Sequence, residues 1–233
     1  MGAVSDWRSF WDSAHSIYVN ARHKDVHYRD IADQIAAFVP RPDARVLDYG
    51  CGEAIHAGRV AAVAAQVLLC DSAPSVRTAI ATRFGGNPKI KVLAPEEVDA
   101  LPDGRLDLIV ANSLAQYLTR AEFERLLALW RRLLAPGGTL VIADVIPPDV
   151  GAVSDVIALL RYAAANGFLL AALFGLARTA TSGYRPLRAR LGIAKYTEGE
   201  FLALLAAAGF KAERLPRNME HNPARMTFRA WVW

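Results

Sequence analysis

The chain has 233 residues, of which 53% are hydrophobic and 21% are charged, so it is long enough for one well-buried domain and short for two. Its two cysteines exclude a disulfide framework and a four-cysteine metal centre, and we expect no metal site and a cytoplasmic setting. A net charge of +4 permits an anionic partner without requiring one. We predict a single domain over residues 1–233 and, from the start of the sequence, no secretory signal.

Residues 1–40 are predicted to form a helical cap. Aromatic and histidine side chains recur through its first part, namely Trp7, Phe10, Trp11, His15, Tyr18, His23, His27 and Tyr28. Ile31 and Ile35 then fall on one face of a helix predicted over residues 26–39, which stops before Pro40. The aromatic segment either closes over a bound ligand or packs on the body of the domain, and the sequence leaves both interpretations open.

A glycine-containing turn follows the first predicted strand. Residues 46–48 are two apolar side chains and an acid, and Gly50 and Gly52 precede alanine-rich sequence. This order is typical of a buried strand, a tight turn and a helix, here predicted over residues 54–64. Glycine allows positive φ and lets a ligand approach the bare backbone, so we predict a nucleotide-type site at the carboxyl end of the strand. His56, in the predicted helix, is assigned a surface or capping role.

A second apolar run, residues 65–70, is closed by Asp71, which lies 19 residues after Gly52. Dinucleotide-type folds place at this distance the acid that binds ribose hydroxyls. Ile55 replaces the third glycine of the dinucleotide motif, and Glu53, expected in the first helical turn, would repel a pyrophosphate. We therefore expect a ligand with a ribose and no phosphate, and we keep a nicotinamide-dependent oxidoreductase as the less favoured alternative.

Three further strands are predicted in a cofactor-binding core over residues 45–148. Residues 90–93 form the third strand, residues 106–111 the fourth and residues 139–145 the fifth. Asp144 lies near the end of the fifth strand, and the carboxyl ends of such strands form the floor of a ligand site. Asp144 is therefore a candidate to face the substrate.

Four segments of this core resemble the class I S-adenosylmethionine-dependent methyltransferase family in order and spacing. They are VLDYGCG at residues 46–52 as the first motif, Asp71 as the ribose acid, DLIVAN at residues 107–112 as the fourth strand and LLAPGGTLVI at residues 133–142 as the turn into the fifth. The resemblance implies an α/β, Rossmann-like, doubly wound fold. Its seven-stranded sheet would be mostly parallel, with an antiparallel C-terminal strand. S-adenosylmethionine is the implied cofactor.

The resemblance also implies the cofactor contacts. At the first two strand ends these are Asp48, Tyr49, Gly50, Cys51, Gly52, Asp71 and Ser72, with Asp48 and the turn at the methionine end and Asp71 at the ribose. Glu96 and Glu97 are candidates for the adenine amino group, or form a charged first helical turn. Asn112 and Ser113 are expected beside the methionine part. The family's Asn/Asp-Pro-Pro-aromatic motif for a flipped base does not follow the fourth strand, so a nucleic acid substrate is disfavoured.

Residues 149–192 are predicted to form a helical insertion after the fifth strand. Two apolar helical stretches, residues 153–165 and 168–177, are too short to span a bilayer, and arginines outnumber acids along the segment. Three interpretations stay open. The insertion is a lid over an apolar substrate pocket, a homodimer contact, or a peripheral contact with an anionic membrane surface.

Residues 193–233 are predicted to complete the sheet with a helix and a strand pair. The two strands, residues 211–215 and 226–233, are joined by a polar loop that contains His221.

The family resemblance implies in-line transfer of the cofactor's methyl group, and we assign the acceptor to a small apolar or lipid-like molecule. The protein must align the reactants, exclude water and, for a hydroxyl or phenol acceptor, remove a proton. Because the N-terminal segment and the insertion form the acceptor walls in this family, the candidate bases are His23, His27, Tyr18 and Tyr184. An amine or activated carbon needs no base. A protein that binds S-adenosylmethionine without catalysis is the main alternative.

Overall fold

The structure is a computed structural model that describes residues 18–180 and 193–232, except for the side chains of residues 178–180. A seven-stranded sheet lies at its centre. In chain order the strands are β1 (Arg45–Tyr49), β2 (Gln66–Cys70), β3 (Ile90–Leu93), β4 (Leu106–Asn112), β5 (Leu134–Val145), β6 (Phe210–Arg214) and β7 (Met226–Val232).

The strand order across the sheet is β3-β2-β1-β4-β5-β7-β6. Neighbours from β3 to β5 pair in parallel, whereas β7 pairs antiparallel with both β5 and β6. The order reverses on either side of β1, so the sheet is doubly wound. The predicted fold class is therefore confirmed.

Helices cover both faces of the sheet. In the described ranges they are α1 (Ala21–Phe38), α2 (Ala57–Val63), α3 (Pro74–Phe84), α4 (Pro95–Asp99), α5 (Arg120–Leu133), α6 (Ala152–Ala165), α7 (Leu169–Ala180) and α8 (Glu198–Ala207), with a short 3₁₀ helix at Ala115–Tyr117. Helices α1, α2 and α3 pack on one face, and α4, α5 and α8 pack on the other. Helices α6 and α7 follow β5, where an insertion was predicted.

The central strands are buried on both faces because nearly every residue in them is apolar. Successive side chains of a strand point to opposite faces. In β4, Leu108 and Val110 pack with the α1–α3 layer, whereas Ile109 and Ala111 pack with the α5 and α8 layer. A strand apolar on both sides is typical of a parallel sheet covered by two helical layers.

The chain after β1 differs from the prediction. The helix expected over residues 54–64 begins only at Ala57, because turns precede it and Ala54 has a φ of 42°. Glu53 therefore lies before the helix, and its carboxylate pairs with Lys24 and Arg83. Glu53 is therefore not in the first turn of this helix, and the prediction that it would repel a pyrophosphate there no longer applies.

Two further element boundaries differ from the sequence interpretation. Helix α1 begins earlier, at Ala21, because Asn20 Oδ1 accepts the N–H of His23 at 2.8 Å and caps it. Strand β5 begins at Leu134 rather than residue 139. Leu134 pairs with Leu106 of β4 and Thr139 pairs with Leu108, so residues 135–138, where the turn was expected, bulge out of the ladder, with Gly137 at a φ of 75°.

A small third apolar cluster joins α1 to α6 and α7. Its buried members are Val26, Ala163, Phe168 and Ala172. Tyr162 of α6 adds a hydrogen bond by donating from Oη to Asp30 Oδ2 at 2.7 Å. The N-terminal helix and the insertion thus pack against each other above the sheet.

The outer faces of α6 and α7 expose large apolar side chains. Val153 is 73% exposed, Leu170 73% and Phe174 77%. No helix in the described part of the chain has both the length and the apolar character needed to cross a bilayer. The lid, dimer and membrane-surface interpretations all require such exposed surface, and the choice between them stays a prediction.

We predict that the buried carboxylate of Asp107 is needed for stability. Asp107 Oδ1 accepts from Arg41 Nη2 at 2.6 Å, and Oδ2 accepts from the Arg45 backbone N–H at 2.8 Å and from Arg45 Nε at 3.0 Å. Burial raises the pKa of Asp107, but hydrogen bonds from Arg45 and Arg41 outweigh it and hold the pKa below the usual range. Asp107→Asn should lower the free energy of unfolding by about 2 kcal/mol at neutral pH.

Urea denaturation measures this loss. Because the folded-state pKa is lowered, the contribution is present above the unfolded value and disappears as the pH falls below about 4. Glu213→Gln, which breaks an exposed pair with Arg229, is the control and should change stability by less than about 1 kcal/mol. Equal losses in the two variants would contradict the prediction.

Candidate functional site

A cavity of about 1670 Å³ opens at the carboxyl ends of β1, β2, β4 and β5. Side chains from α1, α6 and α7 and from the loop between β6 and β7 line its other side. Pockets for a single drug-sized ligand measure roughly 300–1,000 Å³. The cavity therefore has room for a cofactor and a second molecule.

The glycine turn presents bare backbone to this cavity. Gly50 has a φ of 79° and Gly52 a φ of 55°, both in the left-handed region that favours glycine. The N–H groups of Gly50 and Cys51 donate to the carbonyl oxygen of Cys70 at 2.7 and 3.0 Å, which ties the turn to the end of β2. A Cβ on Gly52 would lie 2.7 Å from the hydroxyl oxygen of Tyr28, so glycine is also required by close packing under α1.

Asp71 lies at the end of β2, beside the turn. Its Oδ2 accepts the N–H of Gly52 at 3.0 Å, and its Oδ1 accepts the N–H of Ala73 at 2.9 Å. Burial raises the pKa of Asp71, and these backbone hydrogen bonds act in the opposite direction. Asp48, one strand away, is also buried, and burial together with the charge of Asp71 raises its pKa to about 7.

The other residues predicted to bind the cofactor divide into two groups. Tyr49, Cys51, Ser72 and Glu96 line the cavity, as the prediction requires. Glu97 is not among the lining residues. Its Oε2 accepts the N–H of Ala94 at 2.7 Å, so its carboxylate caps α4 instead. The helical-turn interpretation is the one that describes Glu97.

Asn112 and Ser113 lie at the end of β4 and line the cavity beside Asp144 of β5. Ser113 has a φ of 52° and Asp144 a φ of 64°, an unfavourable region for residues with a side chain. Ser113 Oγ donates to Asp144 Oδ2 at 2.8 Å. Strained backbone of this kind persists where its surroundings hold it, and it is concentrated at functional sites.

Three of the four predicted bases line the cavity, and Tyr184 lies outside the described residues. Burial, and then His27 and His221, lowers the pKa of His23 to about 4. Its Nδ1 accepts the N–H of Val19 at 3.4 Å, so only Nε2 is available. Burial raises the pKa of Tyr18 well above its usual range. Neither group is suited to accept a proton at neutral pH, which leaves His27 as the better candidate.

His27 belongs to a cluster that the sequence analysis did not connect. Its Nδ1 lies 3.4 Å from Glu220 Oε2, and His221 Nδ1 lies 3.6 Å from the same oxygen. Burial would raise the pKa of Glu220, but His27, His221 and a hydrogen bond from Asn112 outweigh it and hold the pKa below its usual range. The carboxylate is therefore ionised beside two imidazole rings.

Sequence reasoning missed Tyr28, Glu220 and Arg225 as cavity residues and gave His221 only a place in a polar loop. Arg225 donates to Asp144 Oδ2 at 2.6 Å and to Asp155 Oδ1 at 2.7 Å, joining β5 to α6. A topological signal was available. Because β7 runs antiparallel to β5, the loop before β7 must lie at the carboxyl end of β5, where the site was predicted.

The residues around the turn fit S-adenosylmethionine. Bare glycine backbone lies beside the buried carboxylate of Asp48 and the half-buried carboxylate of Asp71, which suit ribose hydroxyls and a positive charge. Asn112 Oδ1 and Gln116 Oε1 are buried, line the cavity and have no hydrogen-bond partner among the described residues, so acceptors are available to an ammonium group. Asp and Glu side chains also outnumber Lys and Arg side chains in the described lining, which favours a cation over a pyrophosphate.

We predict that Asp71→Ala weakens binding of S-adenosylhomocysteine by about tenfold to a hundredfold. A carboxylate that accepts hydrogen bonds contributes roughly 1.5 to 3 kcal/mol, and the substitution also releases the N–H of Gly52. Calorimetric titration measures the affinity. Asp33→Ala, which removes an exposed carboxylate paired with Arg59, is the control and should bind normally. Unchanged affinity in Asp71→Ala would remove Asp71 from the site.

We also predict that cofactor binding releases a proton from Asp48. The raised pKa of about 7 leaves this carboxyl largely protonated at mildly acidic pH, and a bound cation favours its charged form. Titration with S-adenosylmethionine in buffers of different ionisation enthalpy should give a release close to one proton at about pH 6 and near zero above about pH 8.5. Asp48→Asn should remove this release.

The same raised pKa gives Asp48 its own pH-dependent contribution to the stability of the free protein. Because the folded-state value exceeds the unfolded value of about 3.9, the contribution of Asp48 is present below about pH 4 and is lost as the pH rises to about 7. If Asp48→Asn releases as many protons on cofactor binding as the unaltered chain does, the released proton comes from another group.

Comparison with known proteins finds a family match and relatives for the central part of the chain. Residues 47–142 match the family model described as methyltransferase domain. An uncharacterized methyltransferase of Mycobacterium tuberculosis (strain ATCC 25618 / H37Rv) is 33% identical over 129 residues, which are 54% of this chain and 61% of that protein. A ubiquinone biosynthesis O-methyltransferase of Xanthomonas campestris pv. campestris (strain B100) is 32% identical over 117 residues, 48% of this chain and 47% of the relative. The chain thus spans 61% or less of the length of these curated relatives.

Solved structures share the fold over a longer range. The DhpI–SAH complex superposes with a TM-score of 0.62 over 99% of this chain and 97% of that chain, at 15% sequence identity. Human N-acetylserotonin methyltransferase in complex with SAM gives a TM-score of 0.58 over 91% of this chain and 53% of that one, at 13% identity. At these identities the likeness shows the fold alone. The motifs, the sheet order and the match over residues 47–142 agree, and this central part of the chain is a methyltransferase domain of the class I, S-adenosylmethionine-dependent type.

Proposed function

We propose that the chain is an enzyme that transfers a methyl group from S-adenosylmethionine, by in-line displacement, to an oxygen of a small apolar or lipid-like acceptor. One observation carries the proposal. The glycine turn with Asp48 and Asp71, the His27 side chain and several apolar side chains all line one cavity. Cofactor, acceptor and a proton-accepting group therefore fit in the same cavity.

The acceptor wall is mostly apolar in the described residues. Val156 and Leu159 of α6 and Leu176 of α7 line the cavity near the histidine cluster. Arg225, the nearby cation, is already paired with two carboxylates. This wall favours an uncharged, apolar acceptor over a phosphorylated one, because a phosphate would enter a region rich in carboxylates.

The chain's own residues orient the two reactants, exclude water from between them and provide a proton acceptor. When bound, S-adenosylmethionine supplies a methyl group on a positively charged sulfur. The glycine turn and Asp71 hold the cofactor side, while Asn112 and Ser113 approach the acceptor side from the end of β4. Helix α1 and the insertion exclude water from above, and His27 takes the proton of the acceptor hydroxyl.

Similarity to a relative supports an oxygen acceptor. The Xanthomonas protein is an O-methyltransferase by name, and the match covers 48% of this chain. An amine acceptor needs no proton-accepting cluster, whereas a hydroxyl or phenol does. The cluster at His27 therefore favours oxygen. A protein that binds S-adenosylmethionine without catalysis would have no use for it.

The test is methyl transfer from a radiolabelled donor into a panel of apolar phenols, alcohols and fatty acids, with amines and phosphate monoesters alongside. We expect labelled methyl ethers or esters from the apolar oxygen acceptors, and loss of at least about a hundredfold in rate in His27→Ala. Labelled product from amines alone would overturn the oxygen assignment. S-adenosylmethionine binding without transfer to any acceptor would favour the non-catalytic alternative.

Leu159→Asn tests the apolar wall in the same assay. It should raise KM for an apolar acceptor by about tenfold, since an apolar contact of about 1.5 kcal/mol is lost, and leave the affinity for S-adenosylhomocysteine unchanged. Leu170→Asn, at a position 73% exposed on the outer face of α7, is the matched control. A KM that changes equally in both variants would place the acceptor elsewhere.

A further inference from the structure

Two distant segments bring three side chains that can bind a metal, two histidines and a glutamate, together in the cavity. His27 comes from α1, and Glu220 and His221 come from the loop between β6 and β7. Each offers one donor atom, and these atoms all lie within 4.8 Å of one another. The distances to Glu220 Oε2 are 3.4 Å from His27 Nδ1 and 3.6 Å from His221 Nδ1. Donor atoms around a tetrahedral ion with bonds of about 2.0–2.2 Å lie about 3.3–3.6 Å apart.

One donor atom of the cluster, Nδ1 of His221, lacks a partner in the described part of the chain that would explain its position. His221 Nδ1 is buried and has no hydrogen-bond partner among the described residues, and its separation from Glu220 is longer than a hydrogen bond. A buried nitrogen without a partner is costly, so such groups in native structures require an explanation such as a bound ion. A metal ion between the three atoms would satisfy each of them.

The surroundings orient the cluster in the way that metal sites require. Asn112 Nδ2 donates to Glu220 Oε1 at 2.8 Å, which leaves Oε2 for the two imidazoles. The ring of Tyr162 stacks on His221, with centroids 5.0 Å apart and planes 23° apart, and its hydroxyl is fixed by Asp30. Contacts of this outer kind hold metal ligands in position.

We propose that His27, Glu220 and His221 bind a divalent metal ion, with Zn²⁺ as the preferred ion, and that its open coordination position takes the acceptor oxygen. Two histidines and one carboxylate with a fourth position left open are the donor set of catalytic zinc sites. The same cavity contains this cluster and the glycine turn. The metal site stands on its own geometry, and the role for the acceptor oxygen rests on the proposed function.

The ion would take over the activation of the acceptor. Coordination lowers the pKa of a hydroxyl, and its proton leaves to solvent. The acceptor oxygen then forms the new bond to the methyl carbon, the carbon–sulfur bond breaks and its electron pair stays on sulfur. The products are the methylated oxygen and S-adenosylhomocysteine, and the ion is unchanged. His27 then serves as a ligand, and no free base is needed.

The first test is calorimetric titration of Zn²⁺ into the full chain, freed of any histidine tag and treated with a chelator. We expect saturable binding of a single equivalent, weakened by at least about a hundredfold in His27→Ala, Glu220→Gln and His221→Ala. His56→Ala is the matched control, because His56 is also paired with a carboxylate, that of Asp25, but lies outside the cluster. It should bind Zn²⁺ like the unaltered chain.

Co²⁺ provides a second readout besides affinity. In the intact cluster it should show the intense visible absorption of tetrahedral Co²⁺, and Glu220→Gln should lose it. Thermal unfolding and titration with S-adenosylhomocysteine in every variant verify that the fold and the cofactor side are intact. No saturable Zn²⁺ binding, or the same affinity in the three ligand variants as in His56→Ala, would overturn the metal site.

Activity then separates the two parts of the proposal. Methyl transfer that stops on chelation and returns with Zn²⁺ supports the acceptor role, whereas full activity of the metal-free chain overturns that role. Failure of S-adenosylhomocysteine to bind would count against the proposed function instead, and the Zn²⁺ titration would be unaffected by it.

Discussion

The hydrogen bonds that join the end of β2 to the turn after β1 are the constraint on which the site depends. Asp71 Oδ2 accepts the N–H of Gly52, while the N–H groups of Gly50 and Cys51 donate to the carbonyl of Cys70. These bonds hold the turn in place, and its two left-handed residues, Gly50 and Gly52, have no side chain. A ligand therefore meets fixed, bare backbone at the centre of the sheet, and Asp71 remains at the rim as an acceptor.

The contacts that join α1 to α6 and α7 above the cavity differ from those that hold the sheet beneath it. The sheet is covered on both faces by large buried clusters, whereas α1 contacts α6 and α7 through a small one that includes Val26 and Phe168. Single polar contacts supplement it, such as Tyr162 to Asp30 and Tyr28 to the N–H of Glu53. Segments with few buried contacts open at a lower free energy than the core.

Charge is distributed unevenly around the cavity. Asp48 and Asp144 are buried and Asp71 is half-buried, and removal from water raises the pKa of all three carboxyls, which means that the free site carries an electrostatic cost. A bound cation reduces that cost, because it favours the ionised carboxylates. Strain at Ser113 and Asp144 is concentrated at the same edge of the sheet. The region that is least favourable in the free protein thus lies at the carboxyl ends of the strands, where the candidate site is.

The sequence by itself determined the sheet and the glycine turn between Asp48 and Asp71. Apolar runs that end in Asp48 and Asp71, with glycines between them, are local patterns, because a strand, a turn and a helix N-terminus are decided by neighbouring residues. The order of such units then fixes a doubly wound sheet, since parallel strands must be joined by crossovers. Local patterns were less reliable at boundaries. Helix α2 begins at Ala57 because the chain at Ala54 adopts a turn conformation that no periodicity reports.

Only the tertiary structure decided which side chains meet above the sheet. His27 and Glu220 are separated by more than 190 positions, and their contact depends on how α1 and the loop before β7 fold over the carboxyl end of β5. Nothing in the spacing of either segment records the other. The contact of Tyr28 with Gly52 is likewise absent from any local pattern. So is the hydrogen bond by which the Glu97 carboxylate caps α4. Hydrophobic periodicity specifies which face of an element is buried, but the contacts between polar side chains at an element's end are set by the packing of several elements at once.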